Sequence, residues 1–165
     1  MIKRLPVAII AVLMLGGCGE DSSTADDASA PAETTAETEA AAAAPALPRT
    51  PSVPGAGVFF ITPADGDTVT NPITVEFGIA DMTVAKAGDN TPQSGHHHLI
   101  VDAELPDFGQ PIPASEHYIH FGDGSTSTEL NLPPGTHTLQ LLLGDHLHIP
   151  HDPPVKSAPV TIVVK

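Results

Sequence analysis

Short apolar runs separated by turn residues constrain the fold of this chain more than any other feature of its sequence. Residues 73–79 read Ile-Thr-Val-Glu-Phe-Gly-Ile, and this alternation places the apolar side chains on one face of an extended strand. Eighteen prolines and fourteen glycines punctuate the chain, so that no long amphipathic helix is predicted. Further strands are predicted at the other runs, which are 58–61, 96–101, 126–132, 137–143 and 160–164. Such spacing is typical of a single antiparallel, immunoglobulin-like β-sandwich, and the predicted fold class is all-β.

The first 17 residues predict a lipoprotein signal peptide. Lys3 and Arg4 precede an apolar stretch, residues 5–15, which is shorter than the roughly 20 residues needed to cross a bilayer. Residues 15–18 read Leu-Gly-Gly-Cys and resemble the bacterial lipobox, in which the thiol is acylated and the chain is cut before the cysteine. An ordinary secretory signal with a chance cysteine is the alternative. Because Cys18 is the only cysteine, we expect it to be the lipidation site, and no internal disulfide can form.

Residues 18–56 predict a disordered acidic tether, and residues 57–165 predict the folded domain. The tether is rich in Ala, Thr and Pro, and it lacks the apolar surface needed to offset the entropy of ordering. Lipid on Cys18 would hold the domain in the cell envelope. Gly19 stands where an aspartate would resemble an inner-membrane retention signal, which favours the periplasmic face of the outer membrane.

The charge balance restricts the kinds of partner. The formal net charge is −14 with neutral histidines, so that the chain has no basic patch to neutralise phosphates and nucleic acid is not expected as a partner. An anionic membrane surface would repel the domain, so that attachment to the membrane depends on the lipid. An envelope protein remains a possible partner.

All nine histidines lie between residues 96 and 151, in the predicted folded domain. Neutral imidazole is the commonest protein ligand for transition metals and suits both copper and zinc. Alternate residues of a strand share a face, so that two of the three consecutive histidines at 96–98 point the same way. We predict that three or four residues of a larger set bind one ion, and the set is His96, His98, His120, His148 and His151.

Other side chains are additional candidates for the same site. His97 and His146 are further possible ligands, and a thioether at Met82 would favour Cu(I), although methionine is more often core filler. Asp145 and Asp152 flank the last histidine group, where a carboxylate can accept a hydrogen bond from an imidazole and orient it. A structural role with a hydrogen-bond partner is predicted for His137, and solvent exposure is predicted for His117.

Several long motifs occur in order between residue 58 and the C-terminus. They include Gly-His-His-His-Leu-Ile-Val-Asp at 95–102 and Leu-Pro-Pro-Gly at 132–135, and the other matching segments are 58–60, 63–66, 120–122, 137–145 and 148–155. On these motifs the chain resembles a bacterial domain of unknown function, number 4399 in the family catalogue. The resemblance implies a secreted or lipid-anchored protein with a compact β domain, and it implies no established activity.

The sequence therefore favours a histidine-rich envelope lipoprotein that binds copper, or alternatively zinc, for storage, delivery or tolerance. The alternative is an envelope interaction module that binds no metal and whose histidines are structural. A surface that responds to pH is a third interpretation, because several imidazoles can titrate together. An enzyme is not favoured, since the sequence contains no Gly-x-Ser-x-Gly, no P-loop and no His-Glu-x-x-His.

Overall fold

The computed structural model describes residues 45–165. The predicted signal peptide, Cys18 and most of the predicted tether lie outside the described residues. The described part contains nine strands, and their bounds are β1 Gly57–Thr62, β2 Thr68–Val69, β3 Ile73–Ala80, β4 Thr83–Val84, β5 Ser94–Val101, β6 Tyr118–His120, β7 Ser127–Leu130, β8 Gly135–Gly144 and β9 Val160–Val164. No helix within residues 45–165 is long and apolar enough to cross a membrane.

The strands form two sheets. The smaller sheet has the order β1-β3-β7, and the larger has the order β2-β9-β8-β5-β4, with β6 also pairing with β5. Most pairings are antiparallel, as predicted, but the two-residue strands β2 and β4 pair in parallel with β9 and β5. These short strands and β6 lie outside the predicted strands, because runs of two or three residues show no periodicity.

The hydrophobic core lies between the two sheets, and this arrangement confirms the predicted all-β sandwich. The apolar residues of β3 that share one face, Ile73, Val75 and Phe77, are almost fully buried. They pack in one cluster with Leu99 of β5 and Leu141 of β8, which belong to the other sheet. Alternation along β3 thus buries one face and leaves Thr74 and Glu76 on the exposed face.

Strand β5 is covered on both of its faces. All eight of its residues are buried, although it reads Ser-Gly-His-His-His-Leu-Ile-Val. His97 and Leu99 face the inter-sheet core, whereas Ile100 belongs to a second apolar cluster with Ile112 and Leu142 on the outer face. Side chains from the loop between β5 and β6 cover that outer cluster, among them Leu105 and Phe108. The outer face of β5 is therefore an interior environment, and His96 and His98 point into it.

Residues before the predicted boundary at residue 57 also form hydrogen bonds to the domain. Residues 47–53, which we call the strap, run across the domain before β1 begins. The backbone of Leu47 donates a hydrogen bond to Gly109, and residues 50–52 exchange backbone hydrogen bonds with Asp152 at 2.9 Å. The low apolar content of this segment suggested disorder, but Arg49 and backbone groups satisfy their hydrogen bonds on the domain and order it.

Candidate metal centre

Three separate elements bring four imidazoles together on the outer face of the larger sheet. His96 and His98 are alternate residues of β5 and share that face. His120 ends β6, and the register of the β5–β6 pair places it directly opposite His98. His148 comes from the loop after β8. We call these four residues the histidine cluster.

The four rings of the histidine cluster are mutual neighbours. Five of the six distances between ring centroids fall between 4.6 and 5.0 Å, and the sixth, between His98 and His148, is 6.0 Å. The Nε2 atoms of His120 and His148 lie 3.1 Å apart. One ligand nitrogen from each of His96, His98 and His120 lies within 4.8 Å of the other two. These three residues could therefore hold a metal ion.

The two inner histidines of the cluster have ring nitrogens that no protein group satisfies. His96 and His98 are at most 1% exposed, and within residues 45–165 neither Nδ1 nor Nε2 of either ring has a hydrogen-bond partner. Leaving a buried polar group without a partner costs about 1–3 kcal/mol, so that such groups are rare in native proteins. A cation bound to one nitrogen of each ring would account for two of these four nitrogens.

Burial keeps the inner histidines neutral. Burial, followed by the neighbouring rings of His148 and His120, lowers the pKa of His96 to about 4. Burial is also the main cause that lowers the pKa of His98 to about 2. The pKa of His120 is lowered by burial and by His148. A neutral imidazole has the free lone pair that a metal requires, and these rings have it without having to lose a proton at pH 7.

The distances between the donors can be compared with those around a tetrahedral zinc ion. Bonds of about 2.0–2.1 Å from imidazole nitrogen in tetrahedral geometry place the donors roughly 3.3 Å apart. The pair formed by His120 and His148, at 3.1 Å, is already at this spacing. The other donors are within 4.8 Å of one another, and His120 is an exposed residue whose ring can rotate toward the buried pair. His96, His98 and His120 could therefore hold a metal ion, with His148 next to His120.

A short turn aims His148 at the cluster. The residue has a φ of 67°, in the left-handed region, where non-glycine residues are uncommon and Asn, Asp and His are the most frequent of them. Asp145, which is 2% exposed, caps the turn, because its Oδ1 accepts hydrogen bonds from the backbone N–H groups of Leu147 and Ile149. Strained backbone of this kind is concentrated at functional sites.

The structure places three predicted ligands away from the cluster. His97 points into the inter-sheet core, where its ring centroid lies 4.7 Å from that of Phe77. Met82 is 7% exposed and belongs to the same apolar core. His151 is fully buried, but its Nε2 lies 2.9 Å from where a Cβ on Gly95 would be, on the side of β5 opposite to His96. His97 is separated from His96 and His98 because neighbouring residues of a strand project to opposite faces of the sheet.

The remaining candidates have other partners. Asp145 binds backbone groups and the hydroxyl of Thr50, and Asp152 forms an ion pair with Arg49 at 3.2 Å. Neither carboxylate accepts a hydrogen bond from an imidazole in residues 45–165, which differs from the role predicted for them. His146 is half-buried in the same loop and is not among the rings in mutual contact.

Two histidines lie at a different place and have local partners. His137 donates hydrogen bonds to Asp102 and to the carbonyl of Pro133, and His117 bonds to the carbonyl of Val101. With the neighbouring side chains they line a cavity of about 410 Å³ that contains no residue of the histidine cluster. His137 is therefore a hydrogen-bonded structural residue, as the sequence suggested.

Sequence reasoning missed two glycines that border the cluster. A Cβ on Gly144 would lie 2.7 Å from Cε1 of His98, and a Cβ on Gly122 would collide with the ring of His120. Gly144 pairs with His96 across β5 and β8, so the position is inside a sheet. Glycine in a strand often marks a close approach by another group, and the Gly-Asp pair at 144–145 carried that signal.

Comparison with known proteins identifies the domain. A sequence model of a family described as a domain of unknown function (DUF4399) matches residues 75–165. The match includes every residue of the histidine cluster and begins within β3, so that β1 and the strap lie outside it. No curated protein and no solved structure matched the chain. The matched segment is more than half of the chain, and this protein belongs to the DUF4399 family of domains of unknown function.

Proposed function

We propose that this domain binds one transition metal ion through the histidine cluster, His96, His98, His120 and His148. The observation that carries the proposal is the convergence of these four imidazoles around two buried rings whose nitrogens have no protein partner. A single cation accepts one lone pair from each ring. It thereby replaces the water that the buried nitrogens lose when the domain folds.

Copper is the favoured ion and zinc is the alternative. Among divalent first-row ions, copper binds a given nitrogen site most tightly, whereas zinc readily accepts four ligands in tetrahedral geometry. The cluster offers imidazole donors only, because Met82 lies in the core and supplies no thioether. Copper is therefore favoured by its affinity for nitrogen donors and not by a sulfur ligand.

The place of action that we propose is the bacterial cell envelope. Cys18 follows a lipobox-like sequence, and a lipid on it would anchor the mature chain, most favourably at the periplasmic face of the outer membrane. In that compartment the domain would store a metal, deliver it or confer tolerance to it. The test is fractionation of cells that express Cys18→Ser beside the parent chain. Release of the variant from the membrane fraction is expected, and equal membrane retention of both would contradict the proposal.

Calorimetric titration of the full-length chain with Cu(I), Cu(II) and Zn(II) tests the metal site. We expect one ion per chain, with an affinity that falls at least a hundredfold in His120→Ala/His148→Ala. These positions are preferred because they are more exposed than His96 and His98 and perturb folding less. The matched control is His117→Ala, an exposed histidine outside the cluster. An affinity that is the same in parent, control and double variant would refute the proposal.

The competing interaction-module hypothesis requires histidines with structural hydrogen bonds. His137 and His117 have such bonds, but the buried members of the histidine cluster do not. The unpartnered nitrogens of His96 and His98 therefore favour the metal-binding function over the alternative.

A further inference from the structure

We propose that the strap, residues 47–53, supports the metal site by positioning His148. Docking of the strap on the domain and binding of the metal then strengthen each other. This inference rests on the proposed function and adds a regulatory element to it. It concerns residues that lie between the predicted lipid anchor and the domain, outside the segment that defines the family.

Arg49 holds the loop that carries His148. Its guanidinium donates one hydrogen bond to the carbonyl of Pro150 at 3.0 Å and another to the carbonyl of His151, and it pairs with Asp152 at 3.2 Å. The same guanidinium lies over the ring of Phe108, with 5.6 Å between Cζ and the ring centroid. Arg49 is the only basic residue between Arg4 and Lys86 in the sequence.

Thr50 completes the attachment from the other side of the loop. Its hydroxyl donates a hydrogen bond of 2.7 Å to Oδ2 of Asp145, and its carbonyl accepts hydrogen bonds from the backbone of Asp152 and from Nδ1 of His151. Asp145 uses its other oxygen, Oδ1, to cap the turn 145–149. One buried carboxylate thus joins the strap to the turn that sets the orientation of His148.

The backbone conformation of His148 makes its orientation depend on the hydrogen bonds between the strap and the turn. A left-handed residue costs roughly 1–2 kcal/mol more than a right-handed one, so that the turn keeps φ at 67° only while its hydrogen bonds hold. Loss of the Thr50 hydroxyl leaves Oδ2 of Asp145 without this partner, and the turn is then freer to relax. Relaxation moves the imidazole away from His120 and removes one donor from the cluster. Arg49, Thr50 and Asp145 are therefore positioning residues.

Coupling of this kind is reciprocal. If a docked strap raises the affinity for metal by some factor, bound metal must raise the stability of the docked strap by the same factor. The two effects are measured separately. Metal affinity reports on the histidine cluster, and the rate of tryptic cleavage after Arg49 reports on docking of the strap. The bond between Arg49 and Thr50 is the single trypsin site in the strap, and its cleavage requires that the strap leave the domain.

The experiment uses the full-length chain with Co(II) as a spectroscopic probe and Cu(II) and Zn(II) for affinity. Saturating metal is expected to slow cleavage after Arg49 in the parent chain by about tenfold. In Thr50→Val, cleavage is expected to speed up and metal affinity to fall by about ten- to a hundredfold, the range typical of residues that support a metal ligand. The visible Co(II) bands of Thr50→Val should weaken, because a four-nitrogen site has become a three-nitrogen site that admits water.

Three controls separate this linkage from a general loss of stability. Thr50→Ser keeps the hydroxyl and should restore the parent affinity and Co(II) spectrum. Thr74→Val makes the same chemical change on the exposed face of β3 and should alter neither readout. His148→Ala should bind metal through the remaining histidines and yet lose the protection of Arg49 by metal, which also controls for any effect of the metal on trypsin itself.

The outcomes distinguish the two proposals. Failure of every metal to bind the parent chain overturns both the metal site and its linkage to the strap. Metal binding that depends on the histidine cluster, with the same Arg49 cleavage rate in the presence and absence of metal, leaves the proposed function standing and overturns the linkage. Equal Co(II) spectra and affinities for the parent and Thr50→Val also overturn it.

Discussion

At the scale of single residues, the histidine cluster depends on two glycines, which have no side chain, as well as on its histidines. Gly144 and Gly122 each leave open the volume that a ring of the cluster occupies. The rings of His98 and His120 can therefore lie close against the backbone of β8 and of the segment after β6. Space next to a ligand is as much a requirement of the site as the ligand itself.

Gly144→Ala should weaken metal binding without unfolding the domain. The added Cβ would come within 2.7 Å of Cε1 of His98 and 3.3 Å of Cδ1 of Ile112, so that the imidazole must turn away from the cluster. We expect an affinity about tenfold lower by calorimetry. The control is Gly57→Ala, where an added Cβ meets nothing nearer than 4.0 Å. An unchanged affinity in Gly144→Ala would show that His98 is not a ligand.

His97 offers a test of which face of β5 carries the site. The ring lies in the apolar core against Phe77, burial lowers its pKa to about 4, and neither nitrogen has a partner in the described chain. Replacement by Leu removes an unsatisfied polar group and should raise the free energy of unfolding by about 1 kcal/mol. Urea denaturation measures the change, and metal affinity should stay constant. A lost metal site in His97→Leu would return His97 to the ligand set.

At the scale of elements, β5 carries two members of the histidine cluster and ends next to the hydrogen-bonded pair formed by Asp102 and His137. Its residues alternate between the inter-sheet core and the outer face, where loops cover His96, His98 and Ile100. At the end of the strand, Asp102 connects β5 to the start of β8. It accepts hydrogen bonds from the backbone of Thr138 at 2.8 Å and from Nδ1 of His137 at 2.6 Å. Nε2 of His137 lies 2.8 Å from the carbonyl of Pro133, so that the protonated ring can donate a hydrogen bond from each nitrogen.

The pair formed by His137 and Asp102 should make stability depend on pH. The hydrogen bond to Asp102 raises the pKa of His137 above 6.5, and this contribution is present below pH 6.5 and lost as pH rises through the folded-state pKa. Burial opposes ionisation of Asp102, but hydrogen bonds from His137 and Thr138 lower its pKa below 3.8, and that contribution is lost as pH falls further. The pair therefore stabilises most between these two limits.

Thermal melts of the parent chain and of Asp102→Asn from pH 4 to pH 9 measure this dependence. We expect the variant to melt several degrees lower near pH 5 to 6, with a difference that shrinks as pH rises and His137 loses its charge. Glu104→Gln, which removes an exposed carboxylate two residues away, serves as the control. A difference between parent and Asp102→Asn that stays constant over the whole range would contradict the assigned charge states.

At the scale of the whole molecule, binding and folding are linked. The histidine cluster draws on β5, β6 and the loop after β8, and the strap closes over that loop from the N-terminal side. These segments come together only in the folded chain. An ion bound to all of them stabilises the native state against the unfolded state by mass action.

Metal should therefore raise the melting temperature of the full-length chain. Free metal at a hundred times its Kd is expected to add about 2.7 kcal/mol to the free energy of unfolding, provided that the unfolded chain binds it weakly. Differential scanning calorimetry with and without Zn(II) measures the shift. The shift should disappear in His120→Ala/His148→Ala and persist in His117→Ala. A shift of equal size in all three proteins would indicate metal binding outside the histidine cluster.

Particular elements show why the sequence predicted some features and missed others. Alternation in β3 and the apolar runs in β8 and β9 identified strands, because a half-buried sheet imposes a period of two. The same period indicated that His96 and His98 share a face. It did not reveal the strap, since residues 47–53 are ordered by hydrogen bonds to the domain rather than by their own apolar content. Cys18 and the signal peptide remain predictions made from local motifs.

The sequence by itself determined that the domain is all-β, that it belongs to a recognisable family and that its histidines are concentrated in one part of the chain. These properties are local, because periodicity, motif and composition are read along the chain. Only the tertiary structure decided which imidazoles meet. His148 lies 28 residues from His120 and joins the cluster, whereas His97 is adjacent to two members and faces the opposite side of the sheet. The register between β5 and β6 sets one of these positions, and the turn capped by Asp145 sets the other. The register joins segments that are distant in sequence, and Asp145 also accepts a hydrogen bond from the distant Thr50.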